Sequence, residues 1–389
     1  MSGWFPFRVP VPGTDDWPCS LHDPQHTGRS ADVLLPPLRL LWTWQNNHPF
    51  DLTKGYSETW NQLVSVGGRL LVSGGLNSNR LLALGEDRTR AWEADNGGYT
   101  ESQSPFYGNN GLAVAGGQVL FTSTDYSYSV SLADGTISPP LDNTNGEPSG
   151  GATVMPNGDV YQQFVETDSG VNDLVLYHGL SSPLVEAAHY SVGNGTLNDV
   201  TFRVPAVDSG RVYASLLGSL CAFDAGTLGL LWTGPASSGT SPCASGGRVW
   251  VATDYGRFTA LDGATGSVIW SVQVAGGLVP LVDPVAGVIY VGSSDGNLYA
   301  LRASDGSVLW SALVGGPVGQ QQQPALSGAL LYAPVSDGVL RVFSTDTGRL
   351  VYSTQVSSRP IGPVTLGRGR LYVSDSAGVV YAYQPAAVR

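Results

Sequence analysis

The sequence predicts an all-β protein, a single eight-bladed β-propeller of four-stranded blades. Three observations support this fold class. Glycine and proline are abundant, with 51 and 25 residues in a chain of 389, which disfavours long helices. Only 13% of the residues are charged while 42% are apolar, as expected of short strands that are buried on both faces. A phrase of about 40 residues, the length of a propeller blade, is repeated along the second half of the chain.

Each copy of this phrase contains four short apolar segments separated by glycine turns, and each ends in an aromatic residue. Four strands per copy is the composition of a propeller blade. The two copies that follow the marker at position 92 have lost the aromatic residue. Because the marker recurs at the end of the blades, we predict that it fills the gap between neighbouring blades. The aromatic markers are Trp42, Trp92, Trp232, Trp270, Trp310 and Tyr352.

The last copy supplies only three strands before the chain stops. A fourth strand, LRLLWTW, is available at residues 38–44 near the other end of the sequence. We predict that it completes the last blade and closes the ring, which removes the free sheet edges. The chain then divides into an N-terminal segment, 1–37, packed on the propeller, and the propeller itself, 38–389.

Charge and cysteine content exclude several classes of partner and site. The formal charge of −12 makes nucleic acid a poor partner. No apolar stretch is long enough to span a membrane. Cys19, Cys221 and Cys243 are neither adjacent nor spaced for zinc, so neither a disulfide framework nor a zinc site is expected. Since no signal-peptide pattern is visible, the chain as numbered is expected to be cytoplasmic, or periplasmic or extracellular if a leader has been removed.

The blade phrase G-x-hYhG-x-x-DGxLyALda-x-TGxxxW resembles the pyrroloquinoline-quinone (PQQ) type of propeller repeat. The segment DWPCSLHDPQHTGRS at 16–30, followed by PPLRLLWTW, is similar to the start of that family's propellers. Some members are quinone-dependent dehydrogenases, which hold the cofactor between a tryptophan and a disulfide of adjacent cysteines, with calcium and a catalytic aspartate. Many others are cofactor-free platforms, including a lipoprotein of the outer-membrane assembly machine.

Because no two cysteines are adjacent here, the resemblance implies the cofactor-free branch. We therefore expect no catalytic residue, no cofactor and no bound metal. His22 and His26 are four residues apart, a spacing that suits a metal pair on a helix, but Pro24 lies between them. We predict packed or surface histidines at both positions.

The candidate binding residues follow from the uneven blade lengths. The first half of the chain carries extra residues at 45–62, 93–111, 165–173 and 189–203, and long connections are where binding usually occurs. Segments that lead from an outer strand to the next inner strand meet around the central channel. Aromatic, arginine and amide side chains there are typical of protein-binding surfaces. The predicted binding residues are Trp60, Phe106, Tyr107, Arg203, Gln322 from the run 320–323, and Arg359.

The sequence thus favours a non-catalytic propeller that binds a protein partner, through the face of blades one to four with the long connections, as a scaffold or a subunit of a larger assembly. Two alternatives stay open. One is a dehydrogenase dependent on PQQ and calcium, and the other is a carbohydrate-binding propeller with a small-molecule or glycan ligand.

Overall fold

The computed structural model describes most of the chain. The described ranges are 15–19, 21–45, 63–73, 80–95, 112–122, 126–139, 141–142, 147–148, 151–166, 171–193, 203–236, 240–253, 256–274, 277–293, 295–316 and 322–386. The predicted residues Trp60, Phe106 and Tyr107 lie outside these ranges.

The described strands form eight sheets, one for each blade, and the predicted eight-bladed all-β propeller is confirmed. Within each blade the strands pair antiparallel, from an inner strand beside the axis to an outer strand at the rim. From inner to outer, blade 1 contains β3 (Leu63–Val66), β4 (Arg69–Ser73), β5 (Arg80–Gly85) and β6 (Arg90–Asp95), and blade 2 contains β7 (Ala113–Ala115), β8 (Gln118–Thr122), β9 (Tyr126–Ser131) and β10 (Leu141–Asp142). Blade 3 contains β11 (Glu147–Pro148) with β12 (Thr153–Val154), then β13 (Val160–Glu166), β14 (Val171–Tyr177) and β15 (Glu186–Gly193). Blade 4 contains β16 (Ala206–Asp208), β17 (Arg211–Leu216), β18 (Ser219–Asp224) and β19 (Leu230–Ala236).

The second half of the ring is more regular. Blade 5 contains β20 (Cys243–Ser245), β21 (Arg248–Thr253), β22 (Arg257–Asp262) and β23 (Val268–Gln273), and blade 6 contains β24 (Gly277–Asp283), β25 (Val288–Ser293), β26 (Asn297–Arg302) and β27 (Val308–Leu313). Blade 7 contains β28 (Ala325–Ser327), β29 (Leu330–Pro334), β30 (Val339–Ser344) and β31 (Leu350–Gln355). Blade 8 contains β32 (Thr365–Gly367), β33 (Arg370–Ser374), β34 (Val379–Pro385) and β2 (Leu38–Gln45). A short strand, β1 (Arg29–Ser30), pairs in parallel with β28.

Strand β2 closes the ring as the sequence predicts. It pairs antiparallel with β34, from Leu38 opposite Pro385 to Gln45 opposite Val379. Residues near the two ends of the chain therefore share one sheet, and blade 8 has the same four strands as its neighbours.

The hydrophobic core consists of layers between neighbouring blades, because each sheet is apolar on both faces. Between blades 4 and 5, for example, Tyr213 and Leu220 meet Val249 and Leu261. Equivalent clusters of buried side chains occupy the gaps between the other pairs of blades. The aromatic markers are part of these layers, since the Trp232 indole packs on the same cluster.

The propeller has two unlike faces. On one, which we call the turn face, tight turns such as Gly246–Gly247 join inner strands to their neighbours, and Gly263 donates to Gly247. On the other, the connection face, the turn before β34 meets the segment that leads into blade 8, because Gly362 donates to Ser374.

Several residues that the sequence assigned to extra connections belong to strands. Residues 93–95, 165–166, 171–173 and 189–193 lie in β6, β13, β14 and β15, so these connections are shorter than expected. The reason is that the strands of blades 1 and 3 continue beyond the apolar core, where the sequence becomes polar. Within the described ranges, no helix has the length and apolar character needed to cross a membrane.

Candidate functional site: the two ends of the central channel

The segment 15–30, which we call the head segment, lines the central channel at the turn face. An inner strand pairs with only one neighbour, so its other edge presents unpaired backbone groups to the channel. The head segment satisfies these groups blade by blade. Six inner-strand amides donate to head-segment carbonyls at distances between 2.6 and 3.4 Å. The donors are Ser65, Val114, Val207, Ala244, Val282 and Leu326, and the acceptors are, in the same order, Trp17, Pro18, Pro24, Gln25, His26 and Gly28.

The two remaining blades are contacted as well. In blade 8 the amide of Arg368 donates to Asp15, and in blade 3 the backbone of Val154 faces the sulfur of Cys19. The head segment thus makes one circuit of the channel and contacts all eight blades in ring order. It therefore covers the inner edges of the blades near the turn face.

The circuit requires sharp bends, and its own side chains hold them. Leu21, His22 and His26 adopt positive φ angles of 59°, 76° and 60°, a conformation that is unfavourable for residues with a β-carbon. Asp23 stabilises the loop that follows, because its Oδ1 accepts from the amides of Gln25 and Thr27 at 3.2 and 2.9 Å. The strained backbone is therefore held by local capping as well as by the blades.

His22 lies between two carboxylates. Its Nε2 is 3.2 Å from Asp15 and its Nδ1 is 3.3 Å from Asp23, while its ring packs against Trp17. Burial alone would lower the pKa of His22, but the hydrogen bonds and charges of Asp15 and Asp23 outweigh it and raise the pKa to about 9. The pKa of each of these two carboxyls is lowered, because the interaction with His22 outweighs burial. His22 is therefore a buried cation at neutral pH.

His26 has the opposite environment. It is fully buried, and its Nδ1 lies 2.5 Å from the carbonyl oxygen of Pro242. Burial lowers its pKa to about 4, so it is neutral at pH 7. The two histidines thus have different partners and opposite charge states. No group of three histidine, cysteine, aspartate or glutamate side chains among the described residues could hold a metal ion. The prediction of packed histidines agrees with this geometry.

At the connection face the blades bury polar side chains near the axis, and we call this set the polar collar. It includes side chains that precede inner strands, such as Thr240, and side chains of second and third strands, such as Gln163 and Asn172. The best-connected part lies between blades 3 and 4, where Arg203 donates from Nη1 to the carbonyl of Ser215 at 2.8 Å and to Oδ1 of Asn172 at 3.4 Å. The collar residues discussed below are Thr122, Gln162, Gln163, Asn172, Arg203, Ser215, Thr240, Gln322 and Gln323.

The predicted binding residues that the structure describes occupy different environments. Arg203 is fully buried and Gln322 is 6% exposed, so both belong to the collar beneath the surface. Arg359 is exposed, and its amide donates to Ser357 at 3.2 Å in the connection that leads to blade 8. Arg203 is buried because it lies beside the inner strand of blade 4 instead of at the tip of a connection. Its binding role, like those of the other five residues, stays a prediction.

Sequence reasoning missed two features of the site. It gave the head segment no role in covering the inner edges of the blades, since that segment lacks the alternation that marks strands. It also passed over Gln162 and Gln163, which could have been found by comparing VYQQFV with the same strand in the other blades.

The fold and the unequal channel ends define the class of this protein, a closed eight-bladed propeller of the PQQ-like repeat type. A family model described as outer membrane protein assembly factor BamB matches residues 182–272 and 217–387, more than half of the chain. The chain therefore belongs to that family. A search of curated proteins finds no match.

Solved structures share the fold at low sequence identity. BamB from Moraxella catarrhalis is 14% identical with a TM-score of 0.67, over 89% of this chain and 99% of that one. A quinohemoprotein alcohol dehydrogenase from Comamonas testosteroni is 14% identical with a TM-score of 0.72, over 96% and 82%. A europium-containing methanol dehydrogenase is 12% identical with a TM-score of 0.74, over 96% and 98%. At these identities the likeness concerns the fold alone.

The cysteines of this chain do not supply the adjacent-cysteine disulfide expected of the branch that depends on quinone and calcium. The three cysteines are free and buried in separate elements, namely the head segment, β18 and β20. Burial raises the pKa of Cys19 to about 12 and that of Cys243 well above its usual value, so neither is a thiolate at neutral pH. We derive no step through either group.

Proposed function

We propose that the protein is a non-catalytic binding module that presents its connection face to a protein partner, as a scaffold or as one subunit of a larger assembly. The observation that carries the proposal is the inequality of the two channel ends. The head segment occupies the turn face and contacts every blade, whereas the connection face carries the polar collar and the longer segments between blades.

The family membership supports this proposal. The matching family model is described as an outer-membrane protein assembly factor, and a function in assembly requires contacts with other proteins. Propellers suit that function because the closed ring holds the connections of neighbouring blades in fixed relative positions. Arg359 is an exposed arginine on this face, a residue type enriched at the centres of protein interfaces.

Site-specific photo-crosslinking in the native host tests the proposal. A benzophenone amino acid is introduced at Arg359 on the connection face and, in a matched control, at Val285, which is 90% exposed in a turn of the turn face. We expect a discrete higher-mass adduct from position 359 and none from position 285. Equal adducts at both positions, or an adduct at 285 alone, would contradict the assigned face.

A second measurement separates binding from catalysis. Purified full-length protein is mixed with PQQ, calcium, a primary alcohol and a redox dye, and dye reduction is followed. We expect no turnover above a sample without protein. Reduction that depends on both quinone and calcium would show that the protein is a dehydrogenase and would overturn the non-catalytic proposal.

A further inference from the structure

Blade 3 departs from the repeat at two adjacent positions of its second strand. Tyr161 faces Thr153 of the inner strand, and the aromatic residue that begins the equivalent stretch in other blades faces its inner strand in the same register. The two residues after that aromatic are small or apolar elsewhere, but in blade 3 they are Gln162 and Gln163. The equivalent pairs are Ala214–Ser215, Val251–Ala252, Val291–Gly292, Ala333–Pro334 and Val373–Ser374.

Both glutamines are buried, with exposures of 0% and 1%. The Nε2 of Gln162 donates to Thr122 of blade 2 at 3.2 Å, and that of Gln163 donates to the carbonyl of Ser215 in blade 4 at 3.0 Å. The bond to the Ser215 carbonyl, which can only accept, fixes which end of the Gln163 amide is the oxygen. Among the described residues, neither Oε1 has a hydrogen-bond partner. A buried acceptor without a donor is destabilising, so the departure from the repeat has a cost that packing alone does not explain.

The gap between blades 3 and 4 adds further polar groups around Gln163. The Ser215 carbonyl that accepts from Gln163 also accepts from Arg203, and the Ser215 hydroxyl donates to the carbonyl of Thr240 at 3.0 Å. Thr240 is 1% exposed, and its hydroxyl has no hydrogen-bond partner in the part of the chain that the structure describes. A buried acceptor, Gln163 Oε1, and a buried hydroxyl, Thr240 Oγ1, therefore belong to one network centred on Ser215.

We propose that this network, buried between blades 3 and 4, binds a small polyhydroxylated molecule. A hydroxyl group can donate to Gln163 Oε1 while it or its neighbour accepts from Thr240 Oγ1, because a hydroxyl is both donor and acceptor. A carboxylate has no donor for Gln163 Oε1, and a cation is disfavoured by the buried Arg203 in the same network. An ordered water is the competing occupant. The inference goes beyond the proposed protein-binding function and is independent of it.

Calorimetric titration of the full-length protein with glucose, trehalose, myo-inositol and glycerol tests the proposal. Each polyol is added up to about 10 mM, so that binding much weaker than that of a typical specific site is still detected. The decisive variant is Gln163→Ser, which restores the residue that blades 4 and 8 carry. The matched control is Gln162→Val, the residue of blades 5, 6 and 8, on the opposite face of the same strand. We expect one polyol to bind the wild type and Gln162→Val equally, and Gln163→Ser to weaken it at least about tenfold.

Two results would overturn the proposal. One is the absence of heat from every polyol with the wild type, together with a crystal structure that shows only water on Gln163 Oε1. The other is equal polyol binding by the wild type and Gln163→Ser. Thermal unfolding without ligand distinguishes a binding role of Gln163 from a purely structural one. If Gln163 were kept for packing, its replacement would lower the melting temperature. We expect the melting temperature of Gln163→Ser to equal or exceed that of the wild type, since the variant removes a buried amide oxygen that lacks a described donor.

Discussion

The indole nitrogen of Trp310, in the outer strand of blade 6, donates a 2.7 Å hydrogen bond to the carbonyl of Thr345 in blade 7. The same ring covers Gly348, where an added β-carbon would lie 2.5 Å from the indole. In the same way, the Trp270 indole donates to the carbonyl of Ala303 and covers Gly306. The Trp232 indole donates to the carbonyl of Gly263 and covers Gly266. The aromatic marker of one blade therefore fits a glycine turn of the next.

Gly348→Ala should destabilise the propeller by about 3 kcal/mol, since the new methyl group both meets the Trp310 ring and occupies a positive φ of 67°. Equilibrium denaturation by urea measures the change. The matched control is Gly247→Ala, which has a φ of 76° and no atom within 4 Å of the new carbon, and should lose only about 1 kcal/mol. Equal losses in the two variants would show that the Trp310 contact contributes nothing.

Asp375 should contribute more to stability than the aspartate of the same turn in blade 6. It is 2% exposed and accepts from Ser357, Tyr381 and the amides of Ala377 and Val379 at distances between 2.7 and 3.0 Å. Asp375→Ala should therefore lower the free energy of unfolding by about 3 kcal/mol. Asp295 is exposed and accepts from Asn297 and Tyr299. Asp295→Ala should lose about 1 kcal/mol by the same measurement, and the reverse order would contradict the interpretation.

The charge of His22 should make stability fall at alkaline pH. Its folded pKa of about 9 lies above the unfolded value of 6.5, so its contribution is complete below pH 6.5 and is lost as pH rises through 9. With a side chain 14% exposed, the contribution is about 3 kcal/mol at pH 6. His22→Gln should thus be less stable than the wild type at pH 6 and nearly equal at pH 10. Urea denaturation at each pH gives the difference, and a constant difference would refute the assigned charge.

Cys19 should report the position of the head segment. It belongs to that segment and is fully buried against blades 2 and 3, and its pKa is raised to about 12 by burial. A variant that retains Cys19 alone should resist a thiol reagent at pH 7 and react above pH 9, where His22 loses its charge. The control retains only Cys221, which is buried between blades 3 and 4, and should stay slow at both values. If Cys221 reacted faster than Cys19 above pH 9, the part of the fold that opens first would not be the head segment.

The repeat explains why the blades could be predicted. Residues such as Trp270 and Gly306 recur at fixed spacing, and each copy must bury both faces of its sheet against the next copy. The closing strand followed from the same pattern, because blade 8 lacked one member and LRLLWTW supplied it. Local spacing therefore determined most of the fold.

The site was less predictable, because its contacts join residues that are distant in the sequence. His26 meets Pro242 across 216 positions, and no pattern in DWPCSLHDPQHTGRS indicates that its carbonyls face successive inner strands. Arg203 was expected at the surface, but its depth depends on how blades 3 and 4 meet around Ser215. Gln163 was visible in the sequence as a departure from the repeat, and only its burial shows that the departure matters.

The circuit of the head segment also constrains the order of folding. Residues 15–30 leave the ribosome before the blades that follow them, yet the carbonyls of those residues are used by amides as far along the chain as Leu326, and β2 must wait for β34. Domains generally fold as they emerge during synthesis. Here the head segment can reach its final position only after the inner strands that it contacts, from β3 to β28, have been translated, so the ring is completed by residues that precede its blades in the sequence.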